Sequence, residues 1–280
     1  VNGRIDAHHH VWRLDRGDYG WLKPTVELGS IYRDFGLDDL RPLLAAAGID
    51  ATVLVQAAPT LAETRFLLNV ARESGGLVRG VVGWADLGAA DAIEKLSALA
   101  HEPLLRSVRP MLQDLADPEW IARPEVQPAL AALTQLGVRF DALVKPPHLR
   151  SLLRVLERHP DLAVVIDHCA KPDIAGQRWQ PWADDIAALA RHTSTHCKLS
   201  GLVTEAGARW TVEALRRYVD HVLGCFGPKR VLWGSDWPVV TLAASYEAWS
   251  SATDTLLAGL SPADREAIRG GNARRFYGLA

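Results

Sequence analysis

Cysteine is scarce in this chain: three residues in 280, at positions 169, 197 and 225. An odd, widely spaced set suggests neither a disulfide framework nor a Cys-x-x-Cys metal site. The thiols are expected to pack as small apolar groups in a reducing cytoplasm. An excess of one charge is also missing, since 31 Lys+Arg stand against 33 Asp+Glu for a formal net charge of −2. No stretch gathers like charges, so a nucleic-acid partner has no electrostatic footprint. No apolar run approaches the ~18–20 residues that would cross a bilayer, which excludes a membrane-spanning helix. The opening VNGRIDAHHH lacks the long apolar segment of a signal peptide, and the chain is read as soluble and unexported. Gly/Ser linkers and low-complexity tracts are absent, so one domain covering 1–280 is expected. No G-x-G-x-x-G follows the first strand and no G-x-x-x-x-G-K-[ST] occurs, which removes the dinucleotide and P-loop fingerprints.

What is present is an ordinary globular composition, 48% hydrophobic and 23% charged, and a strong alternation. Short β-branched runs are predicted as strands at 4–8, 51–58, 78–86, 105–111, 138–144, 163–169, 196–202 and 230–237. Between them, segments rich in Ala, Leu, Arg and Glu are predicted as helices at 63–74, 90–100, 124–136, 149–158, 181–191 and 211–226. Gly48, Gly75, Gly137 and Gly227 suit C-terminal caps. A long loop, from Val11 to about Asp38, follows the first strand. Eight βα units at about 30 residues each favour an α/β fold of the closed (β/α)8 TIM-barrel kind over an open sheet. In such a barrel the chemistry collects at the C-terminal ends of the strands.

The polar residues fall at those ends. In Asp6-Ala7-His8-His9-His10 the period of two puts Asp6, His8 and His10 on one face. A His-x-His there suits a zinc-like ion, although two such histidines can equally be polar surface or core residues. The eighth strand ends in Asp236, either an ion ligand and proton acceptor or a turn residue before Pro238. Strand 6 ends in Asp167-His168, with Lys171 just beyond, and strand 4 ends in Arg109. A buried Arg109 either pairs with a carboxylate or meets an oxygen of the ligand. Lys171 and Lys198 are open to a lesser role, fixing a carboxylate such as Asp86, Asp141 or Asp167. His101, His148, His159, His192 and His221 fall on helices or their ends and are expected in solvent. Ten tryptophans are many for this length, and Trp12, Trp21, Trp84 and Trp237 lie where indoles could stack on a ring or simply pack.

Several runs together carry a family likeness: Asp6-Ala7-His8-His9-His10-Val11-Trp12, Val55-Gln56-Ala57, Gly83-Trp84-Ala85-Asp86-Leu87, Asp167-His168-Cys169-Ala170-Lys171-Pro172, Lys198 to Ala206, and Gly234-Ser235-Asp236-Trp237-Pro238. They resemble the amidohydrolase superfamily and, within it, the amidohydrolase-2 lactonase branch. That branch includes L-fuconolactonases, L-rhamnonolactonases and 2-pyrone-4,6-dicarboxylate lactonases. The likeness covers almost the whole chain and implies a barrel of the metal-dependent-hydrolase type. It also implies opening of a sugar lactone, L-fucono- or a related aldonolactone, by water that an aspartate activates. Carried over by motif, His8, His10, His168 and Asp236 face the lactone carbonyl, with His8, His10 and Asp236 as ligands of one divalent ion, zinc first. Arg109, Lys171, Gln56, Trp84, Glu205 and Trp237 are the implied substrate contacts. The branch also has members that work without a metal, so metal-independent catalysis stands as the alternative to the ion. Strand 4 has no lysine to bridge two ions and strand 5 no histidine, which argues against a binuclear centre. The implied partner is a small lactone, and the oligomeric state stays unassigned. Related barrels decarboxylate aromatic acids with a similar His-x-His and Asp, the alternative chemistry; a sugar-acid binding barrel without activity is a third reading.

Overall fold

The structure is a computed structural model that describes residues 3–279; residues 1, 2 and 280 of the expected domain lie outside it. Eight strands form one sheet in sequential order. They are β1 (Arg4–His9), β2 (Ile49–Val55), β3 (Val78–Gly83), β4 (Leu105–Val108), β5 (Arg139–Ala142), β6 (Val164–Ile166), β7 (His196–Leu199) and β8 (Val231–Trp233). Every paired neighbour is parallel. The connecting helices are α1 (Leu37–Ala47), α2 (Leu61–Glu73), α3 (Ala92–Ala100), α4 (Gln127–Leu136), α5 (Leu149–Arg158) and α6 (Trp182–His192). The short α7 (Leu202–Ala206) precedes α8 (Val212–Phe226), and α9 (Tyr246–Leu256), α10 (Pro262–Glu266) and α11 (Asn272–Tyr277) end the fold. The predicted TIM barrel is therefore the fold of the chain.

Helix ends follow local chemistry. The hydroxyls of Thr60, Thr211 and Ser245 accept from backbone N–H groups in the first turns of α2, α8 and α9. Gly48 and Gly137 take the left-handed conformation that closes α1 and α4. Apolar faces of the helices pack outside the strands, while Ile5, Val53, Val82, Val165 and Leu232 fill part of the barrel with Phe276 and Tyr277 of α11. No helix among the described residues is long and apolar enough to cross a membrane.

Closure falls between the first and last strands. Asp236 N–H donates to the His8 carbonyl at 2.8 Å and His10 N–H to the Trp237 carbonyl at 2.7 Å. Gly234 makes the approach feasible, because a Cβ there would lie 2.6 Å from the Cβ of His8. The seam thus brings the His-x-His run beside Asp236.

Three expectations need correction. Strict alternation along β1 fails: its pairing with β2 shifts register between Asp6 and His9. Asp6 consequently accepts from Tyr246 of α9 at 3.0 Å, while His8 meets Lys198 of β7. Most strands also end two to four residues earlier than their apolar runs predict, and the residues beyond leave the ladder to form the mouth. Among the histidines expected in solvent, His148 is buried and hydrogen-bonded to Lys145.

Candidate active site

Three imidazoles surround one carboxylate at the mouth. Asp236 Oδ1 lies 3.3 Å from His10 Nε2, 3.7 Å from His8 Nε2 and 3.8 Å from His168 Nε2. All four residues are buried. Zinc bound tetrahedrally at about 2.0–2.1 Å sets its ligands about 3.3–3.4 Å apart, close to these separations. His10 gives the sharpest test of fit. Its Nδ1 is 2.8 Å from the Val55 carbonyl, which can only accept, so Nδ1 carries a proton. In the neutral ring Nε2 then presents a lone pair to a carboxylate oxygen at 3.3 Å. Two acceptors in that position require a cation between them, a proton or a metal ion. The side-chain set His8, His10 and Asp236 therefore fits a divalent ion, and His168 Nε2 stands near enough to be a fourth donor.

The backbone is bent to deliver these groups. His168, Cys169, Ala170 and Lys171 all have φ between 51° and 60°, a left-handed turn built without glycine. Each such residue costs about 1–2 kcal/mol, and strain of this kind collects at functional sites. It turns His168 inward while Lys171 emerges toward solvent. Asp236 also has a positive φ, 60°.

Burial governs the charges. Desolvation drives His8 well below its usual range and His168 down to about 4, so both rings are neutral. Burial alone would raise Asp236, but a proton entering the cluster is taken by an imidazole, His168, His10 or His8, whose charge and hydrogen bond outweigh burial and hold the carboxyl below the usual carboxylate range. Beneath the cluster, Lys198 Nζ joins Asp141 Oδ2 at 2.6 Å and Asp167 Oδ1 at 3.0 Å. Ser107 and Tyr277 donate to Asp141 at 2.6 and 2.7 Å.

The other expected contacts divide. Arg109 takes the pairing alternative: Nη1 is 3.1 Å from Asp167 Oδ2, Nη2 donates to the Gln56 carbonyl, and the residue is buried. Gln56 answers with its own amide on the Arg109 carbonyl at 2.6 Å. This clamp ties the end of β2 to the end of β4 and leaves Arg109 Nε and Gln56 Oε1 buried without a partner. Trp237 is buried edge-on against Phe35, with ring centres 5.3 Å apart, so it packs and leaves the mouth to other residues. Trp84 lines a cavity of about 720 Å³ together with Trp21, Trp120, Asp18 and Asp86. Lys171 and Glu205, 3.9 Å apart, line a second cavity of about 550 Å³ with Lys145. Ser200, which holds His168 Nδ1 at 2.9 Å, and Tyr277 were not singled out from the sequence. The Ser200-Gly201 pair was the available signal: a Cβ on Gly201 would lie 2.7 Å from His168 Nδ1.

Fold and cluster define a class, a (β/α)8 barrel of the metal-dependent-hydrolase type with imidazoles and a carboxylate converging at its C-terminal mouth. The sequence pattern of the amidohydrolase family matches residues 5–279, and the chain belongs to that family. It is 46% identical over 278 residues to an L-fucono-1,5-lactonase of Burkholderia ambifaria, covering 98% of this chain and 95% of that one. An L-fucono-1,5-lactonase of Burkholderia multivorans is 36% identical over 291 residues, covering 99% and 96%. A crystal structure of an amidohydrolase from Burkholderia multivorans with bound Zn superposes with a TM-score of 0.91 at 36% identity, covering 99% of each chain.

Proposed function

We propose that this chain is a sugar lactonase that opens a six-membered aldonolactone of the L-fucono-1,5-lactone kind to its aldonic acid. Residues 1–280 would act as one catalytic unit, with one divalent ion, zinc, at His8, His10 and Asp236. The observation that carries the reading is the approach of His10 Nε2 to Asp236 Oδ1 at 3.3 Å in a chain 46% identical to a lactonase. Both Burkholderia relatives are lactonases by name, which favours ester hydrolysis over decarboxylation. The three unpaired thiols suit a reducing cytoplasm.

Asp236 receives a proton from the attacking water. Held ionised below its ordinary range, it is a weak base and needs a water already made acidic. His8, His10 and Asp236, with His168 as fourth donor, would hold a divalent ion, which when bound would supply that acidity and polarise the ring carbonyl. His10 keeps its proton on Nδ1 against Val55, which aims Nε2 at the centre. His168, neutral, is steadied by Ser200. When the ring carbon–oxygen bond breaks, protonated Asp236 returns its proton to the departing oxygen. Lys171 and Glu205, which line one cavity, would hold sugar hydroxyls, and Trp84, which lines another, would offer its indole to a ring face.

The test is proton release over a panel of aldonolactones, with metal analysis of the purified protein. Asp236→Asn should lower kcat by about 10²–10⁴ while the fold survives. Near-normal turnover in that variant removes the base assignment.

A further inference from the structure

His8 differs from His10 in how its ring is prepared. Its Nδ1 lies 3.0 Å from Lys198 Nζ. An ammonium can only donate, so in this arrangement Nδ1 offers its lone pair. With Nδ1 unprotonated the ring carries a single proton and is neutral. Its single proton therefore sits on Nε2, the atom aimed at Asp236 and left without a hydrogen-bond partner. A protonated nitrogen cannot ligate an ion.

A second acceptor waits at the same ring. Asp167 Oδ1 lies 3.5 Å from His8 Nδ1, is fully buried, and faces the Lys198 ammonium at 3.0 Å with its other lone pair left to accept a second donor. If Nδ1 carried the proton, Asp167 could accept it and the Nε2 lone pair would face the centre. Carboxylates hold metal-ligating histidines in this way in many sites. Lys198 does not depend on His8, since it keeps Asp141 and Asp167 at 2.6 and 3.0 Å.

We propose that Lys198 and Asp167 form a tautomer switch on His8: Lys198 holds the ring in a form that cannot ligate, and ion uptake moves the ring proton to Nδ1, which then donates to Asp167. One proton leaves Nε2 for solvent and one reaches Nδ1 from solvent, so ring charge is unchanged and Lys198 stays an ammonium. Both are positioning residues that act through His8. The proposal rests on the reading of a divalent ion at this centre.

The switch predicts the direction of a substitution effect. Lys198→Met removes the competing donor and leaves Asp141 its bonds from Ser107 and Tyr277 and Asp167 its bond from Arg109. Zinc affinity, measured by competition with a chelating dye, should rise about tenfold, the scale of outer-shell effects. Unchanged or weaker binding overturns the switch, because a lysine that only braces His8 would weaken the site when lost. If Lys198→Met does not fold, ¹⁵N imidazole spectra of the wild-type protein decide, with the His8 signals assigned against His8→Gln. The expected result is Nε2–H without zinc and Nδ1–H with zinc. Zinc uptake with the same His8 tautomer in both states overturns the switch alone. A wild-type protein that takes up no zinc removes the ion reading and the switch with it.

Discussion

Close approach of side chains at the centre depends on two residues that have none, Gly234 beside His8 and Gly201 beside His168. Gly201, at φ +66°, lies so near His168 that a Cβ would sit 2.7 Å from its Nδ1. Gly201→Ala therefore adds a clash to a backbone conformation that L side chains disfavour. The expected cost is about 1–3 kcal/mol in urea denaturation, with lower lactone turnover because the His168 ring must shift. An alanine variant with wild-type stability and turnover would show that His168 has room to move. The same residue scale explains what the sequence could not specify. His8, His10, His168 and Asp236 were readable because each ends a clear apolar run. The engagement of Arg109 with Asp167 and Gln56 was not, since those partners are 58 and 53 residues away and meet only when the barrel closes.

Elements were read better in number than in extent. All eight strands and the six predicted helices lie where their periodicity places them, because burial against the barrel sets that periodicity, while α1 and α9, 11 residues each, were not predicted. Strand ends were overestimated because apolar residues such as Cys169 and Ala170 stay buried after leaving the ladder. Hydropathy records burial, and it says nothing of the left-handed turn that carries them. The long loop after β1 is tied down by chemistry that hydropathy also misses. Tyr19 donates to Glu63 of α2 at 2.8 Å, Arg16 lies 3.5 Å from Glu63, and Thr60 donates to Asp18 at 2.9 Å. Burial raises Glu63 to about 7 from an ordinary 4.5. Between those values the unfolded chain releases this proton while the folded one keeps it, so stability falls as pH rises through the window, by about 3 kcal/mol in all. Glu63→Gln should remove that fall. Compared at pH 4.5 and pH 8 by urea denaturation, the variant should gain on the wild type at the higher pH; a gain at the lower pH instead would reverse the assigned direction.

At the scale of the whole molecule, function and closure share one seam. The His-x-His run belongs to the first strand and Asp236 follows the last, so a single ion at His8, His10 and Asp236 would bridge the two ends of the barrel. The backbone there already pairs through His8, His10, Asp236 and Trp237. An ion that binds only the closed barrel stabilises it by mass action, by about 2.7 kcal/mol at a free concentration one hundred times its Kd. For a chain of this size each kcal/mol moves Tm by about 2–4 °C. Zinc-loaded protein should therefore melt roughly 5–10 °C above protein stripped with a chelator. His10→Ala should abolish most of that shift, because it removes a donor from the seam. The unloaded variant should stay close to the unloaded wild type in stability, apart from the packing lost with the ring. A zinc-dependent shift that survives in His10→Ala would place the ion elsewhere in the molecule and separate barrel closure from catalysis.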